Sequence, residues 1–229
     1  MPRTARVAPG GMVFHVLNRG VGRMRLFGKD RDFEAFAEII EKTLQSCPLR
    51  ICSYLFISNH WHFVLWPEKN GELAAFMQKL SVTHVRNWQE NRRRVGQGHV
   101  YQGRYKSFPV ETDNYFYQVM RYVERNALRA NLVATADAWR WSSLWRRTHG
   151  SSADRKMLSA WPLPRPRKWL DHVNAAQTKA ELQAIRRCVN QGQPYESEIW
   201  VKKTARELGL ESTMRRRGRP SQVRPNSQY

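Results

Sequence analysis

His60 and His62 stand two residues apart in NHWHFVLWP, a run rich in β-branched and aromatic residues. On a strand, side chains i and i+2 leave the same face, so two imidazoles are presented side by side, as a chelating pair would be. Further on, Tyr122 and Asn126 lie four apart in a segment of helical period, which places a phenol and an amide on one helix face. A phenol titrates near pH ~10 and is a weak nucleophile unless a cation stabilises the phenolate. A metal beside a phosphodiester also polarises it and offsets the charge that develops during attack. Two histidines, an amide oxygen and a tyrosine therefore make a chemically complete set for attack on phosphorus. The amide suits Mg²⁺ or Mn²⁺ better than zinc, which would want further Cys, His or carboxylate ligands, and no cysteine lies nearby. Each pair alone has an ordinary reading: hydrogen-bonded strand histidines, and a half-buried tyrosine with a wet hydroxyl.

The elements that would carry these residues are legible as periods. Residues 12–20, MVFHVLNRG, read as a strand ending at Gly20. Residues 30–46 place Phe33, Phe36, Ile39, Ile40 and Leu44 at helical spacing, with Asp30 or Asp32 as a cap. Residues 50–66 form a β-prone stretch broken at Ser58-Asn59, which predicts a hairpin. Helical period resumes over 71–94, RYKSFPVE alternates as a fourth strand that Pro109 confines to an edge, and residues 113–128 give a third helix. The order β-α-β-β-α-β-α predicts an α+β fold: a ferredoxin-like split βαβ antiparallel sheet with one extra helix carrying Tyr122. Beyond it, the Trp-rich DAWRWSSLW should pack back on the core, GSSADRK reads as loop, and WPLPRPRKW as extended chain. A helical pair over 175–190 and 197–208 follows, WVKKTARELGL has no legible helix-turn-helix partner, and RRRGRPSQVRPNSQY reads as a disordered basic tail. The expected division is 1–145, catalytic; 146–212, a mostly helical or irregular extension; and 213–229, tail.

Five runs in this order, HVLNRG, SNHWHFVLWP, YQGRYKSFPVE, YFYQVMRYVERNALRANLV and WRWSS, resemble the REP-associated tyrosine transposases, a branch of the single-tyrosine HUH transposases. The resemblance covers roughly residues 12–145. It implies nicking of single-stranded DNA through a covalent 5′-phosphotyrosine, and recognition of imperfect palindromic hairpins. It places the metal histidines on His60 and His62, the nucleophile on Tyr122 at the head of a Tyr-x-x-x-Asn pattern, and the third ligand on Asn126. The family closes that pattern with Asn-Pro, whereas Ala127 follows Asn126 here. The helix can then run on and re-aim Asn126, which leaves Gln118 as reserve ligand and Tyr115 as reserve nucleophile. His15 reads as a core neighbour of the pair, and His84, His99, His149 and His172 as structural or surface residues.

Charge points to the same partner. Against 19 acidic residues stand 29 Arg and 10 Lys, a net +20. Arg pairs phosphate bidentately and stacks on bases, so the excess favours nucleic acid. Residues 91–106, NRRRVGQGHVYQGRYK, interleave bases with tyrosines as single-strand binding requires. Arg92, Arg93, Arg94, Tyr101, Arg104 and Lys106 are the candidate contacts there. Asn18 and Arg19 could touch phosphate from the end of the first strand, and Arg217 and Arg219 in RGRP resemble a minor-groove hook. Cys47, Cys52 and Cys188 fit neither a disulfide framework nor a zinc ribbon. No run approaches the ~20 apolar residues of a membrane span, and MPRTARVAPGG lacks a signal-peptide core. The expectation is a cytoplasmic, nucleoid-associated protein, monomer rather than homodimer, acting on single-stranded or hairpin DNA. A non-catalytic hairpin DNA- or RNA-binding protein on the same fold would need no His-His-Asn-Tyr set, and a water-using metallonuclease would need carboxylates and no tyrosine. A rolling-circle initiator shares the chemistry and is set aside only by the resemblance.

Overall fold

The computed structural model describes residues 7–195 and 197–214. Strands β1 (Val13–Arg19), β2 (Arg50–Ile57), β3 (His60–Trp66) and β4 (Lys106–Val110) form one antiparallel sheet in the order β2-β3-β1-β4. The β2–β3 hairpin turns at Ser58-Asn59, and β4 is an edge strand, as Pro109 requires. Helices α1 (Asp30–Ser46) and α2 (Glu72–Asn91) complete the split βαβ arrangement on one face. Asp32, in the first turn of α1, accepts from the backbone N–H groups of Gly28 and Lys29.

Strand alternation divides the core in two. Phe14, Val16, Tyr54, Phe56, Trp61, Phe63 and Leu65 pack under α1 and α2. Val13, Leu55, Ile57, Val64, Phe108 and Val110 face the opposite way, toward α3 (Asn114–Glu124). Because Val64 belongs to this second face, so do His60 and His62, four and two residues before it. A register shift between Ile51 and Ser53 lets the consecutive residues Cys52 and Ser53 both face α3.

The predicted helix over 113–128 is two helices. Asp113 caps α3 by accepting from the Tyr115 N–H at 2.7 Å. The helix stops at Glu124, Arg125 sits at φ −83°, ψ −4°, and α4 (Asn126–Arg129) begins anew. Ala127 therefore does not let the helix run on. The break has a tertiary cause: Arg121 donates to the carbonyls of Ala175 and Ala176, and Arg125 to those of Val173 and Asn174, at the end of α7 (Trp169–Asn174). Capture of the last orphan carbonyls of one helix by guanidinium groups on another holds the two together.

The remaining chain supports the sheet. After α5 (Ser143–Thr148) comes α6 (Ser152–Arg155), a turn with a Ser151–Asp154 capping box where sequence reads loop. The segment from 161 to α7 holds no helix or strand, bending at 162–163 and turning at 167–168, and α8 (Lys179–Gln191) and α9 (Glu198–Glu207) are the expected pair. Phe56 N–H donates to the Trp141 carbonyl and Ser159 N–H to the Ile51 carbonyl, which covers the outer edge of β2. Tyr195 N–H donates to the Pro109 carbonyl on the outer edge of β4. The indoles expected to fold back do so: Trp141 stacks on Phe33 at 4.8 Å and Trp139 donates to the Phe56 carbonyl. Residues 215–229, with Arg217 and Arg219, lie outside the described residues.

A buried carboxylate ties these layers to α3. Glu124 is fully buried and accepts from Ser53 (3.2 Å), Ser143 (3.1 Å) and the Trp169 indole (2.7 Å). Burial pushes its pKa up, against the pull of Trp169, Arg165, Arg147 and Ser143. A carboxyl raised above its unfolded value contributes fully only below that value, and the contribution fades as pH rises through the folded pKa. Replacement of Glu124 by Gln keeps an acceptor for Trp169 and offers N–H groups to the two serine oxygens. Glu124→Gln should therefore gain stability relative to the unmodified chain as pH rises from about 5 to about 8. Glu124→Ala, which strands the buried donors, should cost about 3 kcal/mol. Urea unfolding at both pH values measures the two effects; a Gln variant that loses ground as pH rises refutes the charge argument.

Candidate functional site

Three histidines, an asparagine and a tyrosine meet where β1 and β3 face the α3–α4 junction. His62 pairs with Leu17 across the β1–β3 ladder and is 3% exposed. Its Nδ1 is hydrogen-bonded to His15 Nε2 at 2.9 Å, and its Nε2 faces the Asn126 amide at 3.1 Å. His15 is completely buried and stacks on His62, centroids 5.1 Å apart. His60, at the mouth, has Nδ1 2.7 Å from Asn59 Oδ1, and its ring is 5.0 Å from that of His62. Tyr122 presents its ring edge-on to His62 at 5.9 Å and to His15 at 6.1 Å. Across the break after Glu124, Asn126 faces His62.

Burial sets the charge state. Desolvation lowers His15 to about 3, and lowers His60 to about 4 with help from Arg19 and Arg129. His62 is also pushed well below the ordinary histidine value, first by burial and then by His60, His15, Arg129 and Arg19. Neutral imidazoles keep a lone pair at neutral pH. His60 Nδ1–H is satisfied by Asn59, which leaves Nε2 free to ligate, and His62 can give Nδ1–H to His15 with the same result. A ligating histidine whose second nitrogen is held by a polar neighbour is the usual arrangement around a metal. A half-turn of the Asn126 amide puts Oδ1 in place of Nδ2. Among the described residues, no group of three or more His, Cys, Asp or Glu side chains could hold a metal. The set fits a divalent cation only with the amide as third donor, and it brings no negative charge of its own.

The reserve residues go elsewhere. Gln118 accepts from the Tyr195 hydroxyl, and Tyr115 packs edge-on against the Tyr195 ring at 5.2 Å. The predicted nucleic-acid contacts divide. Tyr101 is a correction: it is 7% exposed, and its hydroxyl accepts from the Trp61 indole at 2.9 Å and meets His84 Nδ1 at 2.6 Å. It fills the α2 core and has no face to offer a base. Arg92, part-buried, pairs with Asp32 at 2.7 Å over the Trp88 ring and joins α1 to α2. Asn18 is buried and braces its neighbourhood, donating to the Gly103 carbonyl and accepting from the Arg19 N–H. Arg93, Arg94, Arg104 and Lys106 are exposed. Arg19, opposite His60 in the ladder, shares a cavity of about 260 Å³ with Arg104, Lys106, Gln102 and Asn190. Sequence reasoning passed over Arg129, whose guanidinium carbon lies 4.3 Å from the centre of the Tyr122 ring. Its spacing from Tyr122, seven residues or two helical turns, was the available signal.

The family described as "Transposase IS200 like" matches residues 10–126, just over half of the chain. No curated protein matches the sequence. Among solved structures, one titled as a REP-associated tyrosine transposase bound to a REP hairpin is similar in fold, with a TM-score of 0.53 and 14% identity over 78% of this chain and 100% of that one. Together with the family match, which takes in His60, His62, Tyr122 and Asn126, the conclusion is that this chain belongs to the IS200-like transposase family.

Proposed function

We propose that the protein nicks and rejoins single-stranded DNA beside hairpins, with Tyr122 as nucleophile. The observation that carries this reading is the convergence of Tyr122, His62, His60 and Asn126 from three separate elements on one buried-to-open site. Tyr122 Oη attacks the scissile phosphorus, the Oη–P bond forms as the P–O3′ bond breaks, and the phenolic proton passes to solvent as the 3′-oxygen leaves with one. The product is a 5′-phosphotyrosine and a free 3′-hydroxyl, and rejoining runs the same step in reverse. A bound Mg²⁺ or Mn²⁺, held by His60 Nε2, His62 Nε2 and Asn126, would polarise the phosphate and offset its charge. His15 and Asn59 fix the rings of the two histidines, and Arg19, Arg93, Arg94, Arg104 and Lys106 attract the backbone of the strand. The similar structure's partner, a REP hairpin, supports a hairpin as the ligand here. Because α3 is held by carbonyls and side chains of its own chain, cleavage is read as a monomer reaction in cis.

Tyr122→Phe removes one oxygen from a ring that stays packed. It should keep hairpin binding and abolish the covalent adduct on a denaturing gel, and an adduct that survives there but vanishes in Tyr115→Phe would overturn the assignment.

Joint replacement of His60 and His62 by Ala should abolish cleavage and weaken Mn²⁺ binding by calorimetry. Mixed with the Tyr122→Phe chain, it should still yield no adduct, since neither chain holds a whole site; recovery would mean that the tyrosine is supplied in trans.

Arg104→Ala with Lys106→Ala should weaken binding alike for all single strands and flatten the salt dependence by about 0.7 per lost phosphate contact. An unchanged slope would remove this cavity from the path of the strand.

A further inference from the structure

The helix break that aims Asn126 also aims Arg129, three residues on, and Arg129 is unlike the other arginines of this region. Arg121 and Arg125 give their guanidinium donors to the carbonyls that end α7. Arg129 points the other way, over the Tyr122 ring at 4.3 Å. Its Nη1 is buried and has no hydrogen-bond partner among the described residues. It hydrogen-bonds the Tyr122 side chain, and the other charges it feels are those of Arg125 and Arg186. Its charge reaches both candidate metal ligands, since it is one of the causes that lower His60 and His62. A partly buried cation beside other cations, with a donor unused, is an electrostatic imbalance that an anion corrects.

We infer that Arg129 is a catalytic residue that takes a non-bridging oxygen of the scissile phosphate through its free Nη1. The inference rests on Tyr122 as nucleophile. The phosphorus that accepts Tyr122 Oη must lie beside that hydroxyl, and the guanidinium already lies there. As the Oη–P bond forms and the P–O3′ bond breaks, charge gathers on the non-bridging oxygens, and Arg129 meets it as a fixed cation that exchanges no proton. After cleavage, the same contact holds the 5′-phosphotyrosine diester in place for the reverse step. The ligand set of His60, His62 and Asn126 is neutral, so this guanidinium is a fixed positive charge that the chain brings to the reacting group, with Arg19 a second beside the histidines.

The test is single-turnover adduct formation on a hairpin with a single-stranded flank, using the full chain with Mn²⁺. Arg129→Ala should slow the step about 100-fold, Arg129→Lys less, and Mn²⁺ affinity should hold within a few-fold. Added guanidinium ion should restore part of the rate to Arg129→Ala and none to Tyr122→Phe. A methylphosphonate at the scissile position, which carries no charge on its non-bridging oxygen, should largely erase the difference between Arg129→Ala and the unmodified chain. A merely structural role would respond to neither guanidinium nor the methylphosphonate, and Arg129→Gln with an unchanged unfolding midpoint controls for packing. Cleavage of the ordinary diester by Arg129→Ala at the unmodified rate, while Tyr122→Phe gives no adduct, overturns the inference and leaves the nucleophile standing. An adduct that persists in Tyr122→Phe overturns both.

Discussion

The rest of the site depends on one hydrogen-bonded chain, His15–His62–Asn126, that runs from β1 through β3 to α4. His62 has polar neighbours at both ring nitrogens and almost no contact with water, so its tautomer is set by its neighbours. In one direction, His62 Nδ1–H is given to His15, His62 Nε2 keeps its lone pair, and His15 carries its own proton on Nδ1. In the other, His15 Nε2–H is given to His62 and the His62 proton faces Asn126. His15 Nδ1 has no partner in either case and is fully buried. An unpaired N–H in such a place is the costlier of the two. The direction that leaves His62 Nε2 its lone pair is thus the one that strands the His15 Nδ1–H. Burial of all three groups keeps a stray proton from joining the chain at neutral pH.

The chain works only if α4 is held at a fixed height over the sheet, and residues 140–195 supply that constraint. Glu124 sits at the last residue of α3 and collects donors from β2, α5 and α7 at once. Arg121 and Arg125 fasten the other side of the helix to the end of α7. Tyr117 donates to the Pro164 carbonyl and Gln118 accepts from Tyr195. These contacts are spread along the helix from Tyr117 to Arg125 and leave it little freedom to slide. The same segment covers the outer edges of β2 and β4, so the structure that positions Tyr122 also protects the sheet from pairing with another strand.

Period-two and period-3.6 patterns made much of this legible. The strand at 60–66 told that His60 and His62 share a face, and the helix before 126 told that Tyr122 and Asn126 do. Neither pattern says what lies over that face, and what went unread follows from that gap. Tyr101 sits in a basic, glycine-rich stretch and looks exposed, yet Trp61 and His84 on distant elements both need its hydroxyl. Arg92 looks like one of three free arginines until α1 brings Asp32 beneath it. His15 was legible as a core neighbour of the pair, but the contact of its Nε2 with His62 Nδ1 depends on the rotamers of two buried rings and was not. The stop at Arg125 left no local mark: it is imposed by α7, about fifty residues away in the chain.

Charge repeats that lesson at the scale of the whole protein. Many guanidinium groups never meet solvent freely. Arg50 lies on the Trp66 ring and donates to its carbonyl, Arg147 holds the Cys52 and Ser159 carbonyls, and Arg146 holds Asp154 and Glu41. Arg serves here because its planar fork can satisfy two carbonyls at once and carry apolar contact on its faces. The net +20 therefore mixes two populations, cations fixed inside as backbone acceptors' partners and cations left at the surface. The long-range field that draws a polyanion toward the protein is the sum of both. Affinity and its salt dependence come only from those that can reach a phosphate, such as Arg93, Arg94, Arg104 and Lys106. Arg129 belongs to neither population: it is partly buried against Tyr122, and its Nη1 has no hydrogen-bond partner among the described residues.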